Sequence, residues 1–442
     1  MTMQNHFYEL ADYLAGRMHG GEIFLASFDG EQSDFIRFNH SKIRQAGSVE
    51  QRYIGVDLVS GQRHAAGSTT VSGDAAQDHA RLDALLADLR EKLAATPEDP
   101  YLLYATDVKN TKQPGKDELP DRQAVLDKIL AAGSGRDLVG IYAQGGIFKG
   151  FANSLGQRNW SSCYPFNLDW SFYHEKDKAV KTNYAGFAWD GAEFERKAAS
   201  AVEQLEVLKK PAKTIKPGEY RVYITPAAMH EVMMTLRWGA FSAKAHHTKT
   251  TPLIKMVEAG ATLDPSVTIS ENTREGIAAN FQGQGFIKPG KVTLIENGRY
   301  RDTLVSPRSA KEYGIETNGA SGGEGPESID MAGGSLNTQE ILGKFDTGVY
   351  INQLWYMNYS DTVACRMTGM TRFATFWIEN GRIAAPLNVM RFDETIYRML
   401  GENLAGLTAE RDFLIDAHSY GARSTLTMRL PGVLADNFRF TL

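Results

Sequence analysis

Residues 216–239 read KPGEYRVYITPAAMHEVMMTLRWG, and three local signals follow one another along them. Pro217 and Gly218 interrupt what precedes, and YRVYIT (220–225) then alternates with period two, as a half-buried strand does. Thr225 can cap a helix that Pro226 begins, because the N–H that proline lacks is one the first turn leaves unbonded in any case. The pattern carries this helix to about His247. From there to Leu442 the chain reads as strands joined by long glycine-bearing loops, GASGGEGPESIDMAGGS (319–335) among them, with one more helix near 393–404. Residues 217–442 are thus expected to form the large strand-rich carboxy-terminal domain of an α+β protein.

Upstream, two smaller units are expected. In 1–108, Phe7, Leu10, Leu14 and Met18 give a helix over 4–18, and strands follow at 22–28, 33–38, 51–59 and 63–70. The turn signals DGEQ, NHS and SGQ separate these strands, and Leu82, Leu85, Leu86, Leu89 and Leu93 give a second helix over 76–95. The polar stretch NTKQPGKDELP (110–120) reads as a linker. In 119–211, Asp121 can cap a short helix to Ala132, and 137–175 reads as strands that turn at QGG, at NSLGQRN and near Pro165. A charged amphipathic helix over 192–209 stops before Pro211.

Composition narrows the class of function. A chain of 442 residues exceeds what a single core serves well, which agrees with several units. With a formal net charge of −5 and both signs interspersed, there is no basic footprint for nucleic acid or an anionic membrane. The first residues, MTMQNHFYELADYLAGRMHG, lack the basic and apolar regions of a leader, and no stretch is apolar enough to span a bilayer, so a cytoplasmic protein is expected. Cys163 and Cys365 stand far apart outside any CxxC pattern and are read as buried free thiols.

No complete catalytic motif emerges. His230-Glu231 opens like the HExxH box of a zinc peptidase, but position 234 is Met and position 235 is Thr, so the pair reads as ordinary helix surface. His246 and His247 point about 100° apart on a helix, and continuous helix would hold them roughly 24 Å from His230, so they read as a solvated helix end. GSGRDLVG and GGEGPESIDMAGG lack a phosphate-loop pattern and read as loops, no GxSxG elbow occurs, and Glu379, Asp393 and Glu394 read as solvated surface.

Four segments stand in order along the chain: IRFNHSKIRQAGSVEQRYIGVDLVSGQRHAAGSTT (36–70), FKGFANSLGQR (148–158), the 192–209 helix running into KPGEYRVYITPAA, and ATFWIENGRIAAPLNVMRF (374–392). Together they resemble the TldD/TldE (PmbA) family of zinc metallopeptidases. In that family the catalytic TldD subunit carries a His-Glu-x-x-x-His box on the helix after the strand matching YRVYIT, and a later cysteine completes its zinc site. Ungapped register puts the box at Met234–Gly239, MTLRWG, which retains none of those residues, and no cysteine follows Ser419. The resemblance therefore implies a TldE-like, non-catalytic subunit without catalytic residues, metal ligands or cofactor of its own. Zinc is expected in a TldD-like partner, in a heterodimer that handles unfolded peptides, with a homodimer allowed where the partner is missing. A stand-alone peptide-binding or scaffold protein is the alternative. TGMTRFATFW (368–377) departs from the family's threonine-glycine-aspartate-aromatic-serine element, and Arg372 within it is the one candidate for contact with a peptide carboxylate.

Overall fold

The computed structural model describes residues 2–176 and 178–441. Helix α1 (Met3–Ala15) buries Phe7, Leu10 and Leu14 along one stripe, and Thr2 caps it by accepting a hydrogen bond from the Asn5 N–H. Strands β1 (Glu22–Asn39), β2 (Lys42–Ser60) and β3 (Arg63–Thr70) form an antiparallel meander, against which helix α2 (Ala75–Ala95) packs. Next come β4 (Thr111–Pro114), α3 (Arg122–Gly133), β5 (Asp137–Asn153), β6 (Arg158–Cys163), β7 (Phe166–Glu175), β8 (Lys178–Gly186) and α4 (Gly191–Leu208). Asp121 and Asp190 cap α3 and α4.

All these strands belong to one sheet, ordered β3-β2-β1-β5-β6-β4, with β7 on β5 and β8 on β7. Residues 1–108 and 119–211 both feed it, and the stretch between them is not wholly a linker, since β4 pairs there in parallel with β6. Its TKQP sequence has no apolar side chain to announce a strand. Two expected turns are absent as well. DGEQ (29–32) lies inside β1 and QGG (144–146) inside β5, which pair with Gln32 opposite Gly146. Glycine serves close approach here: a Cβ on Gly145 would stand 2.1 Å from the Gln32 carbonyl oxygen.

The second half opens with β9 (Gly218–Ile224) and α5 (Pro226–Leu236), capped by Thr225 as expected. The helix expected to reach His247 is two helices: α5 ends at Leu236, Gly239 takes φ +89°, and Ser242 caps α6 (Ala243–His247). There follow α7 (Ile254–Ala259), β10 (Ile269–Glu271), β11 (Val292–Glu296), β12 (Arg299–Tyr300), α8 (Pro307–Tyr313), β13 (Ser328–Met331) and α9 (Ile341–Phe345). GSGRDLVG and GGEGPESIDMAGG, read as loops, thus contribute the start of β5 and all of β13. Then come β14 (Gly348–Asp361), β15 (Arg366–Glu379), β16 (Arg382–Pro386), β17 (Arg391–Thr395), β18 (Leu404–Ile415) and β19 (Thr427–Phe440). The helix expected near 393–404 shrinks to an irregular turn after β17, Arg398–Glu402.

The second sheet runs β12-β11-β10-β13-β19-β17-β15-β14-β9, and β19 also pairs with β9, so five of its strands close into a ring. Within that ring β9 and β14 are parallel neighbours, from Val222 opposite Val349 to Ile224 opposite Ile351. Phe166, Trp170, Phe172 and Phe194 of the first half share one hydrophobic core with Phe345, Phe376, Ile378 and Leu434 of the second. That common core holds the sheets against each other. Among the described residues no helix is long and apolar enough to cross a membrane.

Candidate functional site

Between the two sheets lies a cleft with two chambers. The larger, about 930 Å³, is bounded by β8, α4, the start of α5, β14 and part of β18. The smaller, about 360 Å³, adjoins it, and Lys181, Asn183 and Ala227 line both.

One wall is a strand edge. Among the described residues β8 is hydrogen-bonded to β7 and to no other strand. Residues 181–185 line the chambers consecutively rather than alternately, as expected where a strand presents its main chain and not one face.

The opposite wall is the point where the parallel strands β9 and β14 part and α5 begins. Thr225 fixes the geometry: its N–H donates to the Ile351 carbonyl (3.1 Å), and its hydroxyl donates to the Asn352 carbonyl (2.8 Å). The Thr225 hydroxyl oxygen also accepts from the Ala228 N–H (3.2 Å), and its carbonyl accepts from the Met229 N–H (2.9 Å). Since Pro226 has no N–H, that of Ala227 alone is left in the first turn without a partner among the described residues. Asn352 lines the larger chamber at 7% exposure, and its Oδ1 is enclosed with no hydrogen-bond partner among the described residues.

The charges around the cleft are mostly paired. Lys197 meets Asp412 (3.1 Å), Lys181 meets Asp169 (3.3 Å), Arg411 meets Asp330, and Arg196 grips both oxygens of Glu193. The hydrogen bond from Arg196 holds the Glu193 carboxyl below its usual range. The cleft is therefore polar without a strong field of either sign.

His230 and Glu231, read from the sequence as helix surface, line the smaller chamber together with Asp416 and His418. Gln353 Nε2 donates to Glu231 Oε1 (3.3 Å), and His230 Nδ1 stands 3.6 Å from the same oxygen. Met234 and Gly239 line neither chamber, and Gly239 lies beyond the end of α5. Counted from His230, the family's box would instead end at Thr235, a buried residue whose hydroxyl donates to the Glu231 carbonyl. The helix is shorter than the sequence suggested, and it is the earlier pair that lines the cleft.

The family implies zinc, but the donors here do not suit it. Among the described residues no three His, Cys, Asp or Glu side chains gather closely enough to hold a metal ion. His230 and His418 each face a neighbouring carboxylate, and a threonine stands where the box needs its second imidazole. Burial pushes the thiols of half-buried Cys163 and buried Cys365 up to about 11 and about 12, so neither is a thiolate at neutral pH.

Segment 416–426, between β18 and β19, closes one end of the smaller chamber and crosses to the first sheet. Arg423 donates there to the Pro165 carbonyl (2.9 Å), Asn167 Oδ1 (3.2 Å), the Gly145 carbonyl (3.4 Å) and Ser33 Oγ (3.5 Å). Its main-chain N–H donates to Glu31 (3.1 Å), and Gln51 donates to the Gly421 carbonyl (2.6 Å).

Arg372 lines neither chamber; its guanidinium lies 3.5 Å from the Trp355 ring centroid and 4.7 Å from that of Phe373. His246 is not simply solvated: it is half-buried, donates from Nε2 to the Ala240 carbonyl and accepts at Nδ1 from the Tyr300 hydroxyl. Glu394 is buried, not surface, and accepts from the Thr395 and Arg439 N–H groups. The β8 edge, Ala227 and Asn352 escaped the sequence reading because an alanine, an asparagine and a strand edge carry no distinctive motif.

A family model described as the PmbA/TldA metallopeptidase C-terminal domain matches residues 217–442. No curated protein matches the chain in sequence at a significant level. Among solved structures, the chain is similar to TldE from Thermococcus kodakarensis, at 15% identity and a TM-score of 0.77, covering 99% of this chain and 100% of that one. It is also similar to a protein of Thermotoga maritima described as a candidate modulator of a DNA gyrase, at 16% identity and a TM-score of 0.74, over 99% of this chain and 100% of that one. A protein of Bacteroides thetaiotaomicron with the same kind of description matches at 14% identity and a TM-score of 0.73, over 99% and 98%. These likenesses show a shared fold, and with the family model matching more than half its length, the chain belongs to the PmbA/TldD (TldD/TldE) family.

Proposed function

We propose that this protein is the non-catalytic partner subunit of a two-chain, cytoplasmic, TldD/TldE-type zinc metallopeptidase that acts on unstructured peptides, in proteolysis or peptide maturation. The observation that carries the reading is the cleft, which among the described residues offers the unpaired edge of β8 but no set of metal donors. An extended peptide can add itself to such an edge through main-chain hydrogen bonds, with little regard to its side chains. A folded domain has no free main chain to offer. Zinc, and the water it activates, would come from a TldD-like partner that completes the enclosure. Arg372, outside both chambers, is given no peptide contact in this reading.

The test is to assay this chain, a TldD-like chain from the same source, and the two together. The substrates are a disordered peptide and the same peptide embedded in a stable fold. Cleavage is expected only from the mixture and only of the disordered form, with zinc found on the partner. Full activity from the TldD-like chain alone would favour a stand-alone peptide-binding or scaffold protein. One tightly held, histidine-coordinated zinc on this chain would overturn the non-catalytic assignment.

A further inference from the structure

Where β9 and β14 run side by side along the larger chamber, two tyrosines stand in register: Tyr223 lies opposite Tyr350, with ring centroids 5.4 Å apart. Tyr223 is 2% exposed and lines the chamber, yet its hydroxyl has no hydrogen-bond partner among the described residues and, unlike the Asn352 Oδ1, is not sealed in. Gly432 on β19 leaves room for that hydroxyl, since a Cβ there would stand 2.2 Å from it. The half-buried Tyr350 lines the chamber too, and its hydroxyl is likewise without a partner among the described residues. Burial holds the Tyr223 phenol well above its usual range and pushes that of Tyr350 up to about 12, so both remain donors at neutral pH. Val207 of α4, Ile341 and Leu342 of α9 and Ile383 of β16 line the same chamber and pack in the same cluster, so the two phenols stand within apolar walls. The Asp412 carboxylate acts on both phenols and opposes an anionic guest, while a cationic one would compete with Lys197, which already meets Asp412 at 3.1 Å.

We propose that Tyr223 and Tyr350 form the floor of a side-chain pocket that selects glutamine in a bound peptide. Glutamine brings an apolar stem for the walls and a carboxamide tip, whose oxygen has two lone pairs, one for each phenol O–H, and whose N–H groups can donate toward Asp412. Methionine has nearly the same shape but leaves both phenols unpaired, and glutamate brings the charge that Asp412 opposes. A site built to hydrogen-bond its guest rejects an analogue that lacks the matching group. This rests on the peptide reading above and deepens it: the β8 edge is indifferent to side chains, and the discrimination comes from the two phenols.

The probes are fluorescein-labelled peptides of alternating Thr and Ala, acetylated and amidated at their ends, with one guest residue placed at each position in turn. The guest is Gln, Met or Glu, and each peptide is titrated by anisotropy into the full chain with and without its TldD-like partner. At one position Gln should bind about tenfold more tightly than Met and than Glu. Tyr223→Phe and Tyr350→Phe keep the rings and remove one hydroxyl each, so each should shrink the preference for Gln over Met, and the double variant should bring it close to one. Because these hydroxyls have no partner inside the fold, Tm should stay unchanged or rise, and the comparison of guests on the unaltered protein stands even if a variant folds poorly. Equal binding of Gln and Met at every position, a preference for Glu, or a preference for Gln that survives in the folded double variant overturns the pocket and leaves the peptide reading standing. No binding of any guest peptide, with or without the partner, overturns both.

Discussion

Glu271, at the end of β10, is buried and accepts from the Glu327 and Ser328 N–H groups through Oε2 (3.0 and 2.9 Å). Burial pushes its pKa up to about 7; the Ser328 N–H opposes the rise, the Glu327 carboxylate adds to it, and Lys288 again opposes it. Between the ordinary value of 4.5 and about 7, the folded chain therefore holds a proton that the unfolded chain has released. This group's contribution is most favourable at the low end of that window and falls as pH rises through it, by roughly 3 kcal/mol in all. Glu271→Gln should remove that slope, stabilising the protein by an amount of that order at about pH 8 and changing little at about pH 5. Urea denaturation across the window checks this, and parallel pH profiles for the two proteins would refute it.

Segment 416–426 shows how one side chain can hold an irregular element. Tyr420 is 96% exposed, while three residues on the guanidinium of Arg423 meets acceptors from β1, β5, β7 and the β6–β7 turn of the other sheet. A guanidinium suits this task because its planar fork spreads five donors over three nitrogens, whereas an ammonium has three on a single point. Arg423→Ala should cost about 2–3 kcal/mol and speed chymotryptic cleavage after Tyr420 by about tenfold. Arg423→Lys should restore little of either. Unchanged cleavage in both variants would mean that the Gln51 and Glu31 contacts hold the segment without Arg423.

The shared core is expected to make the molecule unfold as one unit. Phe345, Phe376 and Ile378 of residues 217–442 are covered by Phe166, Trp170 and Phe194 from the first half. A large apolar junction of this kind couples the unfolding of its two sides. Calorimetry should show a single transition, and residues 217–442 produced alone should aggregate unless residues 1–213 are supplied with them. Two well-separated transitions, or a soluble and cooperatively folding 217–442 fragment, would show that the two halves are energetically independent.

Local chemistry was legible from the sequence because it depends on neighbours along the chain. The stripe of Phe7, Leu10 and Leu14, the caps at Thr225, Asp121 and Asp190, and the strand YRVYIT leading into a helix all follow from spacing and turn chemistry. The four matching segments carried the family. Pairing and burial follow from distant residues and were not legible in the same way. DGEQ and QGG look like turns until β1 and β5 are laid together, when Gly145 proves to be where the two backbones approach. His230 and Glu231 look like helix surface until β18 and the segment after it close a chamber over them. Asn352 has nothing to mark it in the sequence; that folding encloses its Oδ1 without supplying a partner among the described residues is visible only once every neighbour is in place.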